Sequence, residues 1–116
     1  MSYIEGFVGP VPTANKEVYL EHARIFDTVF KEHGASRIVE CWGVDVPDGK
    51  VTSFPMAVKL EPHETVVFGW IEWPSKEARD TGGAAAMKDP RMAALETMPF
   101  DGKRMIYGGF EIINEV

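Results

Sequence analysis

Four stretches of the chain alternate between two kinds of side chain with a period of two residues. They cover residues 3–11, 38–46, 66–73 and 105–112, and in each of them aromatic, aliphatic or acidic residues alternate with small or aliphatic ones. Successive side chains of a β-strand point to opposite sides of the sheet, so this alternation predicts four strands. The third stretch is the most apolar run of the chain, which predicts a central strand.

The segment after the first predicted strand has the spacing of an amphipathic helix. It begins near Thr13 or Asn15, which can cap a helix, and it ends at Gly34, a residue suited to the position after a helix C-terminus. A stripe of largely apolar residues with helical spacing predicts that this helix lies on a sheet. The stripe consists of Tyr19, His22, Ala23, Phe26, Val29, Phe30 and His33.

A second helix is predicted between the third and fourth strands. Ser75 can cap it, and Asp89 followed by Pro90 starts a further helical turn. Gly82 and Gly83 weaken the helix by about 1 kcal/mol each relative to alanine. Together with the alanines at positions 84–86, they predict a slim helix that can approach the sheet closely.

The connections complete the order of the elements. Pro10 and Pro12 are expected to end the first strand. Residues 47–50 and 100–103 form turns, and residues 51–64 form an excursion with one helical turn. The order β-α-β-β-α-β predicts a ferredoxin-like α+β fold with an antiparallel four-stranded sheet in the spatial order 4-1-3-2. The length of 116 residues predicts a single domain over residues 1–116.

The alternation also predicts what covers each side of the sheet. One predicted face collects Ile4, Gly6, Val8, Val39, Cys41, Gly43, Val67, Gly69, Ile71, Ile106, Gly108, Phe110 and Ile112. The other collects Tyr3, Glu5, Phe7, Glu40, Trp42, Phe68, Trp70, Glu72, Tyr107 and Glu111. We expect the helices on the glycine-rich face, where absent side chains allow close packing. The aromatic face would then be exposed in a monomer, which predicts a homodimer with two such faces forming a barrel.

Strand pairing predicts how the glutamates are grouped. Antiparallel pairing is expected to bring Glu5 near Glu111 and Glu40 near Glu72, one pair at each end of the barrel. Such pairs can form a polar rim at the dimer interface. They can also form a proton-accepting or cation-binding site, because close carboxylates raise each other's pKa. Glu40 and Glu72 are therefore candidate catalytic residues.

Histidine and the large aromatic residues provide the other candidates. His22 lies on the apolar helical stripe, where it can be a packing residue, a general base or a ligand contact. Trp42, Trp70 and Tyr107 are candidate ligand-binding residues, although tryptophans at such positions also form cores or dimer interfaces. The sequence contains no metal-ligand spacing, P-loop or GxGxxG motif, so neither a metal nor a cofactor is expected.

Composition excludes several classes of partner. The net charge is −6 with a pI near 5.0, and there is no basic tract, which argues against nucleic-acid binding. No apolar run approaches membrane-spanning length, and no signal peptide is recognisable, so a cytoplasmic location is expected. Cys41 is the lone cysteine, which excludes an intrachain disulfide; its place on an aliphatic strand face predicts a buried, inert thiol.

Several strings of residues resemble one protein family over essentially the whole chain. The strings are YIEGFV at 3–8, VP at 11–12, VECW at 39–42, DVPDGKVT at 45–52, ETVVF at 64–68, WI at 70–71, PSK at 74–76, RD at 79–80, DPRM at 89–92 and MPFDGKRMIYGGF at 98–110. They resemble the DUF1428 family of small bacterial proteins. This resemblance implies a dimeric α+β barrel, a superfamily that includes cofactor-independent monooxygenases, haem-degrading enzymes and isomerases. It implies no catalytic residue.

Two hypotheses about function follow. The first is a homodimer that binds a small molecule, in a pocket between sheet and helices near His22 or between subunits; its alternative form is a monooxygenase- or isomerase-like enzyme by fold analogy. The second is a non-catalytic dimer that acts through protein partners or merely binds a metabolite. The sequence does not indicate which substrate or ligand is bound.

Overall fold

The predicted strands form one antiparallel sheet. A computed structural model describes residues 2–116. Its strands are β1 (Tyr3–Pro12), β2 (Arg37–Trp42), β3 (Glu64–Trp73) and β4 (Ile106–Glu111). Their spatial order is β2-β3-β1-β4, with β3 and β1 in the centre. The predicted ferredoxin-like α+β topology is therefore confirmed.

The helices lie where the sequence predicts them. They are α1 (Lys16–Glu32), α2 (Phe54–Ala57) and α3 (Lys76–Met87), with 3-10 helices at Thr13–Asn15, Pro90–Leu95 and Gly102–Arg104. The chain leaves α1 through Gly34, whose φ of 116° is accessible to glycine at little cost. Ser75 Oγ accepts a hydrogen bond of 3.0 Å from the backbone N–H of Ala78 and so caps α3.

The first strand is longer than the sequence predicts. Pro10 and Pro12 do not end β1; they pair with Val66 and Glu64 of β3. The pairing of β4 with β1 stops at Val8, so both prolines lie where β1 has only one neighbouring strand. A missing N–H is tolerated on such an edge segment.

The predicted assignment of side chains to the two faces is wrong. In the β1–β3 register Phe7 pairs with Gly69, and in the β2–β3 register Glu40 pairs with the same glycine. Directly paired residues lie on the same side of a sheet. The helix-facing side therefore consists of Tyr3, Glu5, Phe7, Gly9, Val11, Ile38, Glu40, Trp42, Val67, Gly69, Ile71, Trp73, Tyr107, Gly109 and Glu111. The helices pack over the aromatic and acidic positions of β1 and β2 and the aliphatic and glycine positions of β3, whereas β4 stays largely exposed.

Complementary size explains why the sheet takes this register. A Cβ at Gly69 would lie 2.4 Å from the Phe7 ring and 2.5 Å from the Val39 carbonyl oxygen. The Phe7 ring thus occupies the space above Gly69, and a strand shifted by one residue would lose this fit. Such a shift also exchanges the two faces of a strand, which is why the sequence alone assigned β3 to the wrong partners.

Helix α3, the second of the two long helices, approaches the sheet closely, as its composition predicts. A Cβ at Gly82 would lie 2.3 Å from the His33 carbonyl oxygen and 2.6 Å from the Trp73 ring. Trp73 is 1% exposed and packs in a core cluster with Val29, Phe30, Ala35, Ile71 and Ala86. Gly82 therefore lets α3 seal the end of the core around Trp73.

The other side of the sheet is open and partly apolar. Phe68, Ile106 and Phe110 point to it and are 41%, 47% and 57% exposed. The segment around α2 covers only its edge, where Val58 packs with Val8 and Val66. Cys41 lies on this open side and is exposed, so the prediction of a buried thiol is wrong for the isolated chain. Its position on a side without helices is the reason.

The helices within residues 2–116 include none that combines the length and apolar character needed to cross a membrane.

Candidate functional site

A cavity of about 780 Å³ lies between the sheet and the two long helices. The sheet forms its floor, α1 and α3 form two walls, and residues 98–105 form a third. Its lining residues are Glu5, Gly6, Phe7, Tyr19, His22, Ala23, Phe26, Phe30, Glu40, Ile71, Arg79, Asp80, Gly83, Ala84, Met87, Met98, Phe100, Gly102, Met105 and Tyr107. The size is typical of small-molecule sites, which fall at about 300–1,000 Å³.

The cavity exists because small residues of α3 face large residues of α1. Gly83 and Ala84 line it from α3, whereas Phe26 and Phe30 line it from α1, stacked with ring centroids 4.3 Å apart. A Cβ added to Gly83 would meet only the Arg79 side chain, at 3.9 Å. Space therefore remains beside α3 at Gly83, although the same helix is tightly packed at Gly82.

A glutamate and a tyrosine meet across the helix–sheet interface at one side of the cavity. The Tyr19 hydroxyl of α1 donates a hydrogen bond of 2.7 Å to Glu40 Oε1 of β2. Glu40 pairs with Gly69, where the absent side chain leaves room for the Phe7 ring. Burial, followed by the charge of Glu40, raises the pKa of Tyr19 well above its ordinary value, so Tyr19 keeps its proton.

Asp27 stands beside the same glutamate but outside the cavity lining. Tyr19, Ala23 and Asp27 are spaced by four residues on α1 and therefore share one side of the helix. Burial, a hydrogen bond with the Glu40 carboxyl and the charge of Glu40 raise the pKa of Asp27 to about 8. At neutral pH Asp27 therefore holds its proton beside Glu40, and its Oδ1 atom is buried without a hydrogen-bond partner.

His22 lines the cavity next to this group and is neutral. Burial lowers the pKa of His22, although a hydrogen bond to the Leu95 carbonyl and the charge of Glu40 act in the opposite direction. Its Nε2 atom is buried and has no hydrogen-bond partner. A neutral imidazole has one N–H donor and one acceptor nitrogen, so Nε2 can take either role toward a ligand, depending on the tautomer.

At the opposite side of the cavity an arginine is already fully engaged. Arg79 Nη1 donates to Glu5 Oε2 at 3.2 Å, Nε to Asp80 Oδ1 at 2.8 Å and Nη2 to the Tyr3 hydroxyl at 3.1 Å. Glu5 Oε1 also accepts from the Trp73 indole N–H at 2.9 Å. Glu5 and Arg79 thus form a structural ion pair that closes this side.

The structure separates the residues that the sequence grouped. His22, Glu40 and Tyr107 line the cavity. Trp70 and Glu72 lie on the opposite face, where the Trp70 indole N–H donates to Glu72 Oε2 at 2.8 Å. The predicted pair of Glu40 and Glu72 is therefore wrong, because odd and even positions of β3 were assigned to the wrong faces.

The structure also shows where the other residues singled out from the sequence lie. Trp42 does not line the cavity; it packs against Tyr19 with ring centroids 6.4 Å apart. Glu5 and Glu111 share a face as predicted, with Glu111 paired to Tyr3, but Glu5 is neutralised by Arg79. The sequence missed Asp27, whose signal was a carboxylate four residues beyond Ala23 on an otherwise apolar helix side.

A separate cluster of possible metal ligands lies outside the cavity. Glu61, His63 and Glu64 have ligand atoms within 4.8 Å of one another. Both carboxylate oxygens of Glu64 already accept hydrogen bonds from Arg104, at 2.8 and 2.6 Å. This cluster is therefore occupied by an internal ion pair.

Comparison with known proteins decides the family. A family described as "Protein of unknown function (DUF1428)" matches residues 2–102. The chain belongs to this family. It is 61% identical to the protein YbaA of Escherichia coli strain K12 over 114 residues, which cover 97% of each chain. The Shigella flexneri protein of the same name has the same identity and coverage, and both are described as uncharacterized.

Two solved structures share the fold. One is described as a "Putative antibiotic biosynthesis monooxygenase from Nitrosomonas europaea", with a TM-score of 0.60 and 13% identity over 97% of this chain and 90% of that one. The other is a dimeric ferredoxin-like protein from an uncultured marine organism, with a TM-score of 0.57 and 9% identity over 99% and 98%. At these identities the similarity establishes the fold and no activity.

Proposed function

We propose that this DUF1428 protein binds a small molecule in the cavity between the sheet and helices α1 and α3. One observation carries the proposal: a mostly apolar cavity is lined by His22, whose Nε2 atom is buried and has no hydrogen-bond partner in the protein. A buried polar atom without a partner costs about 1–3 kcal/mol, and a bound ligand can supply the missing hydrogen bond. The lining favours a ligand with an apolar body and one polar or charged group.

The test combines native mass spectrometry with a variant that fills the cavity. Protein purified from its own cells should carry a bound small molecule, and Ala84→Phe should release it because Ala84 lines the cavity. Ala93→Phe is the matched control, since Ala93 is exposed and lies outside the lining. An adduct that survives in Ala84→Phe as well as in the control would contradict the proposal, as would ligand-free protein that no member of a fragment library stabilises.

An enzyme of monooxygenase or isomerase type is the second candidate. It is favoured by two groups near Glu40 with shifted pKa values: Asp27, whose pKa is raised to about 8, and His22, which is neutral and can accept a proton. We propose His22 as the general base in this case. Incubation of protein and its co-purified ligand in heavy water tests it: the protein should catalyse exchange of a ligand C–H, and His22→Gln should abolish the exchange without loss of binding. If the ligand C–H exchanges with heavy water no faster in the presence of the protein than in its absence, the protein does not catalyse this proton transfer.

We also propose that the chain forms a homodimer through the open side of the sheet. Support comes from the exposed Phe68, Ile106 and Phe110 on that side and from the dimeric ferredoxin-like neighbour. Sedimentation at micromolar concentration should give a dimer, and Phe110→Lys should give a monomer. Val44→Lys, in an exposed loop, is the control. A monomeric parent protein would contradict the dimer and leave this side to a protein partner.

A cytoplasmic location is proposed as well. The free thiol of Cys41 is exposed in the isolated chain, and such a thiol is stable in a reducing compartment. Fractionation of the source cells tests this location directly, and recovery of the protein outside the cytoplasm would contradict it.

A further inference from the structure

The charges around the cavity are unbalanced. Three carboxylates line it, from Glu5, Glu40 and Asp80, against the single guanidinium of Arg79. Arg79 is bound to Glu5 and Asp80, and Arg104 of the neighbouring segment is bound to Glu64 and Asp101. Within residues 2–116, the ion pairs of the structure include none that involves Glu40. Glu40 is thus the one carboxylate of the lining with no cation beside it.

The polar groups near Glu40 do not supply a positive charge. Tyr19 donates a neutral O–H to it, the protonated Asp27 beside it carries no charge, and His22 is uncharged. Glu40 therefore faces a cavity that offers it no cationic donor. A partly buried carboxylate is stabilised by a cation, because Coulomb attraction grows as the local dielectric constant falls.

The rest of the lining suits an apolar cation. Aromatic rings of Phe7, Phe26, Phe30, Phe100 and Tyr107 surround the cavity, together with the thioethers of Met87, Met98 and Met105. Aromatic faces attract ammonium groups by about 0.5–2 kcal/mol each, more strongly where water is excluded. Methionines adapt to ligands of varied shape.

We infer that the cavity selects an apolar cation, an amine or quaternary ammonium compound with a hydrophobic body, and that Glu40 is the residue that receives its charged group. This inference rests on the proposed function, because it names the chemical class of ligand for the same cavity. Either kind of cation compensates the charge of Glu40, and a protonated amine can also donate an N–H to it. A carboxylate ligand is repelled by Glu40, and an alcohol leaves the charge of Glu40 uncompensated.

Three probes of similar size and different charge test the inference. Phenethylamine, phenethyl alcohol and phenylacetate are titrated into the full chain at neutral pH, with binding followed by backbone amide shifts in NMR spectra. We expect the amine to bind at least about tenfold more tightly than the alcohol, a difference of about 1.4 kcal/mol, and the carboxylate to bind most weakly. Shifts should map to residues of the cavity lining.

Two variants in which a carboxamide replaces a carboxylate test which residue causes the preference for the amine. Glu40→Gln keeps the size and the acceptor for Tyr19 but removes the charge, so it should reduce the preference for the amine to about threefold or less. Glu72→Gln, on the opposite face of the sheet, should leave it unchanged. If Glu40→Gln does not fold, the parent protein still tests the inference. Its preference for the amine and the positions of the amides that shift on binding can both contradict it.

The outcomes separate this inference from the function on which it rests. If the alcohol or carboxylate binds in the cavity as tightly as the amine, the preference for a cation is wrong and small-molecule binding stands. If Glu40→Gln keeps the preference, Glu40 is not the recognition residue. If none of the probes binds and the protein purified from its own cells is also empty, both proposals are overturned.

Discussion

The hydroxyl of Tyr19 and the carboxylate of Glu40 are joined by a hydrogen bond of 2.7 Å that links helix α1 to strand β2. The tyrosine is 5% exposed, and its aromatic ring packs in the core cluster with Val11, Ala23 and Val67. Charge-assisted hydrogen bonds in such surroundings are stronger than neutral ones. This contact therefore holds the polar side of the cavity in place.

Removing this hydroxyl should destabilise the fold. Tyr19→Phe keeps the ring but leaves Glu40 with one donor fewer, and we expect a loss of about 1.5–3 kcal/mol in the free energy of unfolding. Urea unfolding followed by circular dichroism measures the loss. Tyr107→Phe is the control, because Tyr107 is 82% exposed, and it should change stability by less than about 0.5 kcal/mol. Equal effects of the two changes would show that the Tyr19 contact does not stabilise the fold.

Asp27 should make stability depend on pH. Its pKa rises from 3.8 to about 8 on folding, so the native state binds the proton that the unfolded state has lost. The contribution of Asp27 is fully present below pH 3.8 and is lost as pH rises through about 8. Asp27→Asn removes this titration.

The measurement compares the two proteins across that range. Free energies of unfolding at about pH 5 and about pH 9 should show Asp27→Asn gaining stability relative to the parent as pH rises. Other titrating groups, such as Asp89 and Glu64, are shared and cancel in the difference. Parallel pH profiles for the two proteins would show that Asp27 titrates at the same pH in both states.

The two adjacent glycines of α3 should respond oppositely to the same substitution. Gly83→Ala places a methyl group in open space and should stabilise the protein by about 0.5–1 kcal/mol through helix propensity. Gly82→Ala places a methyl group 2.3 Å from the His33 carbonyl oxygen and should destabilise it. Thermal unfolding of both variants checks the difference in sign. A stabilising Gly82→Ala would mean that α3 packs less tightly than the structure shows.

Binding of a permanent cation should strengthen as pH rises. Benzyltrimethylammonium cannot titrate, so any pH dependence of its affinity comes from the protein. A cation near Glu40 favours loss of the Asp27 proton, and its affinity should increase between about pH 6 and about pH 9. Isothermal titration calorimetry in two buffers of different ionisation enthalpy should detect the released proton. Asp27→Asn should abolish the release, and persistence of the release would assign the proton to another group.

The sequence by itself determined the elements and their order. Each alternating stretch contains a strand, although the second strand ends at Trp42 and not at residue 46 as predicted. The stripe from Tyr19 to His33 lies along α1, and Gly34 and Ser75 mark helix boundaries as predicted. These features depend on side-chain spacing and on local backbone preferences, which a single sequence displays directly. Together with the β-α-β-β-α-β order they were sufficient to predict the topology of the sheet.

Only the tertiary structure decided which residues share a face and a cavity. The register that sets Phe7 and Glu40 beside Gly69 results from packing between strands distant in sequence, and a shift of one residue exchanges the faces. The sequence therefore paired Glu40 with Glu72, whereas folding places Glu40 beside Tyr19 and Asp27 of α1. The chemistry of the cavity depends on this meeting of helix and sheet, because burial and proximity, which no local pattern encodes, set the protonation of its groups.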